Sequence, residues 1–184
     1  MVELSADKEE LLYVLDDDGN STGKLEKRSY IHEHGLFHNE IALWIIDKEN
    51  KKVLLQRRSP NKIINPNKFG LCAGHVVGDD TIEQTVFKET SEELGLDLKN
   101  YDVKFLAKIK RIETYQKCFS YHFYILAKLD LNDLKIQKEE LTEIFYIDYE
   151  TLKQMVENQD RNISEGWKKT FKPIFEKLDE IILN

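Results

Sequence analysis

The 184-residue chain carries 27 basic and 34 acidic side chains, a net charge of −7, with 41% apolar and 33% charged residues. That length suits a single domain with a buried core, and the acidic balance argues against stable binding to a nucleic-acid backbone, so an anionic substrate needs a local cluster of cations or a metal ion. No run approaches the roughly 18 apolar residues of a membrane span, the acidic start MVELSADKEELLYVL lacks signal-peptide character, and two cysteines, Cys72 and Cys118, fit a reducing cytoplasm better than a disulfide scaffold.

In chain order, residues 11–16 and 22–26 flank DDDGN, where Gly19 and Asn20 accept positive φ cheaply, and predict a hairpin. Residues 27–34 predict a short helix stopped at Gly35. The apolar run 41–47 (IALWIID) reads as a strand, KENK as a turn, and 52–58 (KVLLQRR) as the returning strand. Two prolines and three asparagines make 59–68 a loop. A short extended piece at 69–73 leads to a helix over 81–94. Residues 103–112 and 118–129 form a strand pair, 144–148 a further strand, and 149–158 and 164–182 two helices. The last is amphipathic, with Trp167, Phe171, Ile174 or Phe175, and Leu178 at helical spacing. Strands mixed with flanking helices give an α/β or α+β class in one domain, 1–184: hairpin and short helix to 35, core over 36–148, and C-terminal helices over 149–184.

The helix over 81–94 poses a charge problem. Thr81 and Gln84 have capping-box spacing, and Asp80 and Glu83 suit the positive end of the helix dipole. At about 100° per residue, Ile82, Val86, Phe87, Thr90 and Leu94 form an apolar arc. Glu89 and Glu93 lie at its edge, and Glu92 just beyond. Three anions at i, i+3 and i+4 repel by a few tenths of a kcal/mol per pair even in water, roughly, and by more at the rim of a core. A hard divalent cation, Mg²⁺ or Mn²⁺, resolves the conflict. A solvated acidic face with lysine partners is the alternative.

The spacing favours the ion. Gly74, Asp80 and the run Lys88-Glu89-Thr90-Ser91-Glu92-Glu93-Leu94-Gly95-Leu96 resemble the Nudix box, G-x5-E-x7-R-E-U-x-E-E-x-G-U with U aliphatic. Gly74, Glu89, Glu92, Glu93 and Gly95 match outright, and Leu96 fits the last U. The box spans 74–96. A looser resemblance over 11–148, through GLFH and GH, is to the Nudix branch similar to isopentenyl-diphosphate isomerase. It implies a mixed β-sheet sandwiched between helices and a metal-dependent hydrolase that cleaves diphosphate linkages, commonly of nucleoside diphosphate compounds. Glu89, Glu92, Glu93 and the Gly74 carbonyl would ligate the ion; Glu92 or Glu93 would act as the base. Departures occur at Asp80, for glutamate; at Lys88, for the arginine that braces a box glutamate; at Thr90, for an aliphatic residue; and at Val77, where many members carry an acid. Lys88 stands at the box's catalytic brace as a point charge without an arginine fork.

Residues 51–68 hold Lys51, Lys52, Arg57, Arg58, Lys62 and Lys68 with no acid. Arg57 or Arg58, together with Lys68, would clamp a diphosphate; alternation along a strand allows one of the two arginines to face the site. The isomerase branch also implies metal-binding histidines at His38 and His75, and less surely His32. These imidazoles contact substrate or metal, or are bonded to backbone, the reading favoured for His34. Against isomerisation, Ala73 occupies the position of the isomerase's catalytic cysteine. Cys72, one residue earlier, faces the other way, into the core, and CFSYHFYIL has no acidic pair. The residues therefore point to a small-molecule diphosphate hydrolase, with an isomerase and a catalytically weak binding module as alternatives. Phe37, Trp44 and Phe69 serve a base or the core, and a homodimer stays open.

Overall fold

Strand β3 (Phe37–Asp47) is the spine of the molecule, buried on both faces. Its side chains alternate. Ile41, Leu43 and Ile45 join Val86 and Leu94 of helix α2 (Ile82–Leu94) in one core layer. Ala42, Trp44 and Ile46 join a second layer with Tyr149, Leu152 and Val156 of α3 (Tyr149–Glu157) and Ile174, Phe175 and Leu178 of α4 (Lys172–Ile182). A strand covered on both sides has no polar face, which is why IALWIID reads as an unbroken apolar run. Each aliphatic side chain so buried contributes about 1.5–3 kcal/mol. The computed structural model describes residues 10–62, 64–113, 116–164, 166–167 and 171–184. The acidic start at 1–9, and positions 165 and 168–170 of the expected last helix, lie outside the described residues.

The nine-stranded sheet is mixed. Strand β8 (Lys117–Leu126) runs parallel to β3 from Phe37↔Lys117 to Ile46↔Leu126, and β7 (Lys104–Ile112) is antiparallel outside it. The other side of β3 is shared. The first half takes β6 (Cys72–His75), in register from Glu40↔His75 to Leu43↔Cys72. The far end takes β4 (Lys52–Arg58), which also holds β5 (Phe69–Gly70) and β9 (Leu141–Asp148). The hairpin of β1 (Leu11–Leu15) and β2 (Ser21–Lys27) attaches at Leu15↔Phe37, and α1 (Arg28–His34) follows it. The architecture is the α+β sandwich that the resemblance implies.

Four boundaries differ from the sequence reading by three residues or more. β3 begins at Phe37 rather than 41, because His38 and Glu40 are polar residues turned to one face of a strand that is still fully paired. β9 begins at Leu141 rather than 144, its polar Thr142 and Glu143 lying at the exposed end of the ladder with β4. β8 ends at Leu126 rather than 129. The expected helix over 164–182 is broken at Phe171: residues 166 and 167 are helical, and α4 starts at Lys172 with Pro173 in its first turn, where the missing N–H costs nothing. Trp167 and Phe171 still share a layer, stacked with ring centroids 4.5 Å apart. Among the described residues no helix is long and apolar enough to cross a membrane.

Helix α2 starts with the expected capping box: Gln84 N donates to Thr81 Oγ1 at 3.1 Å, and Thr81 N donates to Gln84 Oε1 at 2.8 Å. It ends at Gly95, whose φ of 65° is left-handed. Thr81→Ala is expected to lower the unfolding free energy by about 1 kcal/mol, read from the urea midpoint at unchanged slope; an unaltered midpoint would show that the cap does not hold this helix.

Candidate active site

Val86, Thr90 and Leu94 seat α2 on the sheet, and that packing turns the later glutamates toward a cleft. Thr90 is fully buried, yet its hydroxyl is satisfied, donating to Val86 O at 2.7 Å and lying 3.6 Å from Cys72 Sγ. Glu93 is buried, Glu89 half-buried and Glu92 exposed, the gradation expected from the helical projection. Gly74 on β6 lies directly beneath Glu89: a Cβ built on it would sit 2.2 Å from Glu89 Cδ. Glycine is required there by close approach, not by its φ.

Burial, then the neighbouring Glu93 and Glu92, push Glu89 up to about 8. Burial likewise pushes Glu93 up to about 7, against hydrogen bonds from Gln56 and Cys72 that favour its charged form. Lys88 does not relieve the cluster by contact. Its Nζ lies 3.2 Å from Asp80 Oδ2, so two of the four residues that depart from the box pair with each other. Crowded carboxylates of raised pKa over a bare glycine are a donor set that a hard divalent cation fits.

His32, His38 and His75 converge from α1, β3 and β6, their ligating nitrogens within 4.8 Å of one another. All three Nε2 atoms are buried without a hydrogen-bond partner. His38 Nδ1 faces Leu36 O at 3.4 Å, a weak contact that leaves Nε2 as the ring's open nitrogen. Burial holds all three neutral, His32 at about 4 and the other two also below the usual imidazole range. Three neutral imidazoles with free nitrogens suit a transition-metal ion. His34 stands apart, Nδ1 2.9 Å from Tyr30 O and the ring stacked on Tyr30.

Carboxylates and imidazoles line one cleft of about 700 Å³, with Glu89, Glu92, Glu93, Gly74, His32 and His75 all on its surface. Arg28, Arg58 and Lys62 also line it, as do the apolar side chains Ala42, Ala73, Phe69, Leu71, Trp167 and Phe171. On β3 and β8, His122 and Glu40 are already engaged. Trp44 Nε1 donates to His122 Nδ1 at 3.1 Å, leaving His122 Nε2 to Ser120 Oγ at 3.1 Å. Glu40 takes Arg111 and Gln116 on its two oxygens.

Of the proposed clamp, Arg58 faces the cleft. Arg57 turns away, its Nε 2.8 Å from Glu143 and its guanidinium over the Phe69 ring, and Lys68 Nζ donates to Arg161 O. Alternation along β4 separates the two arginines as expected. Phe69 reaches the cleft, whereas Phe37 and Trp44 are core. Cys72 faces α2, and Ala73 the cleft. The sequence reading missed Arg28, Glu40, Gln56 and Arg111. Arg28 had a signal, one helical turn before His32; the others are set by pairing between distant strands.

Gly74→Ala is expected to displace the Glu89 carboxylate without unfolding the chain and to weaken Mn²⁺ binding at least about 10-fold, measured by titration; unaltered binding would remove Glu89 from the site. The raised glutamates also predict a pH signature. Folded, they hold protons that the unfolded chain has released, so their stabilisation is lost as pH rises through about 7 and about 8. The depressed histidines act oppositely, and below about pH 6.5, where the unfolded chain takes up the protons. In EDTA the melting temperature should therefore fall from about pH 6.5 to 8, and Glu89→Gln should flatten that fall.

The family model described as NUDIX domain matches residues 36–166. An uncharacterized Nudix hydrolase of Clostridium acetobutylicum is 30% identical over 87% of this chain and 81% of its own length. The prenyl-diphosphate phosphatase of Methanosarcina mazei is 31% identical over 89% of this chain and 96% of its own length. Among solved structures, a Deinococcus radiodurans protein superposes with a TM-score of 0.72 at 16% identity, covering 87% of this chain and 96% of that one, a likeness of fold. With its box carboxylates gathered over Gly74, the chain belongs to the Nudix family of hydrolases, which act on pyrophosphate bonds.

Proposed function

We propose that the chain is a metal-dependent hydrolase of small diphosphate esters whose organic half is an apolar chain, as in prenyl diphosphates. One observation carries this reading: a single cleft is lined by the box carboxylates, by Arg28 and Arg58, and by Ala42, Ala73, Leu71, Phe69, Trp167 and Phe171. His122 and Glu40, the polar groups of β3 and β8 best placed to read a nucleobase, are spent on internal partners. The name of the Methanosarcina mazei relative supports the same substrate class. A nucleoside diphosphate compound is the second reading, favoured by the exposure of Phe69 to the cleft for stacking.

Glu89, Glu92 and Glu93, with the Gly74 carbonyl, would hold Mg²⁺ or Mn²⁺. Such an ion supplies Lewis acidity to a phosphoryl oxygen and lowers the pKa of water. Arg28 and Arg58 bind the diphosphate oxygens and fix the phosphorus. Glu92 or Glu93 accepts the proton of the attacking water. His32, His38 and His75 would hold a second, transition-metal ion at the edge of the same cleft; His32 and His75 line it, whereas His38, expected to contact substrate, is fully buried behind them. Isomerisation is disfavoured: Ala73 offers no thiol, and Ser120 and the locked His122 offer no acid or base to an allylic carbon. Both cysteines are free and buried, in keeping with a reducing cytoplasm.

Phosphate release from isopentenyl, dimethylallyl and geranyl diphosphates, compared with nucleoside diphosphate compounds, tests this. With Mg²⁺ or Mn²⁺ the prenyl series should be favoured at least about 10-fold in kcat/KM, and EDTA should abolish turnover. Glu93→Gln should cost about 10²–10⁴ in kcat while staying folded, and Trp167→Ala should raise KM for geranyl diphosphate more than for the five-carbon esters. A nucleoside preference would overturn the apolar substrate class, silence on every compound would favour a binding module, and formation of dimethylallyl from isopentenyl diphosphate would restore the isomerase.

A further inference from the structure

We propose that Gln56 is the positioning residue that holds the Glu93 carboxylate in the cleft, the part the Nudix box ordinarily gives to an arginine. This rests on the reading above, in which Glu93 is a metal ligand. In this chain the box position is Lys88, and Lys88 is diverted to Asp80 on the half-exposed side of the helix. Glu93 is 5% exposed and requires a donor elsewhere.

Gln56 lies on β4, and its Nε2 donates to Glu93 Oε2 at 3.0 Å and to Leu71 O at 2.9 Å. Both neighbours are acceptors, so the amide is oriented with nitrogen toward them, and both its hydrogens are used. Leu71 fixes the amide, and the amide fixes one oxygen of Glu93. The Cys72 thiol, behind the same carboxylate, also favours its charged form. The cost is visible: Gln56 Oε1 is buried with no partner. A buried amide with one end unmet is unfavourable, and its N–H groups account for its presence here. Alternation puts Gln56 and the cleft-lining Arg58 on the same face of β4, two residues apart, so one strand positions the carboxylate and carries a diphosphate cation. A neutral brace also leaves the charge of the carboxylate cluster undiluted, where an arginine would offset part of it.

Mn²⁺ titration without substrate, followed by free-ion resonance, tests the proposal. Glu93→Gln first identifies which Mn²⁺ binding step belongs to the box, as distinct from the histidines. Gln56→Leu is expected to weaken that step at least about 10-fold, to leave the histidine step unaltered, and to lower kcat while KM for substrate stays near wild type. Loosening of the whole fold would weaken both steps, and that result would overturn the proposal, as would a box step of wild-type affinity in a folded Gln56→Leu chain. If Gln56→Leu does not melt cooperatively, Gln56→Met, of similar length and without a donor, is judged by the same two results. A wild type that binds Mn²⁺ at the box yet hydrolyses no diphosphate removes the hydrolase reading and leaves the brace standing; one that binds no Mn²⁺ there overturns both.

Discussion

Mutual repulsion among Glu89, Glu92 and Glu93 is the constraint around which the molecule is arranged. A helix that docks through Val86, Thr90 and Leu94 cannot swing its next turn away from the sheet, so the carboxylates stay at the rim of the core whatever that costs. The backbone makes room for them at Gly74, and the neighbouring strand contributes Gln56. The raised pKa values record burial first and, at Glu89, the neighbouring Glu93 and Glu92 second, and a divalent cation would relieve both. Fold stability and the proposed metal affinity would therefore be coupled at one helix turn.

The two sides of the cleft contrast. Beside α2, acids are concentrated and under-neutralised. On β3 and β8, two buried ionisable groups beside the cleft are engaged internally, Glu40 by Arg111 and Gln116, and His122 by Trp44 and Ser120. That asymmetry suits a reaction whose proton transfers all occur beside the phosphorus and whose organic half is merely accommodated.

Much of this was legible in the sequence because much of it is local. The capping box at Thr81, the grading of Glu89, Glu92 and Glu93 by burial and the inward turn of Cys72 all follow from residue spacing over a few positions of helix or strand. Periodicity also said that one of Arg57 and Arg58 must face away, without saying which. What stayed hidden was set by register between strands far apart in the chain. Gln56 meets Glu93 across 37 positions and Glu40 meets Arg111 across 71, and no short-range pattern marks either pair. The extension of β3 back to Phe37 was masked by His38 and Glu40, polar residues in a paired strand.

The double burial of β3 has an evolutionary corollary. Adding or deleting a single residue within it would exchange the faces of everything beyond the change, sending Trp44 toward the layer under α2 and Leu43 and Ile45 toward the layer under α3 and α4. Lineages of this protein can thus diverge along that segment by replacement alone, while length variation is channelled into the turns at either end. A family tree built on insertions and deletions should find this stretch silent.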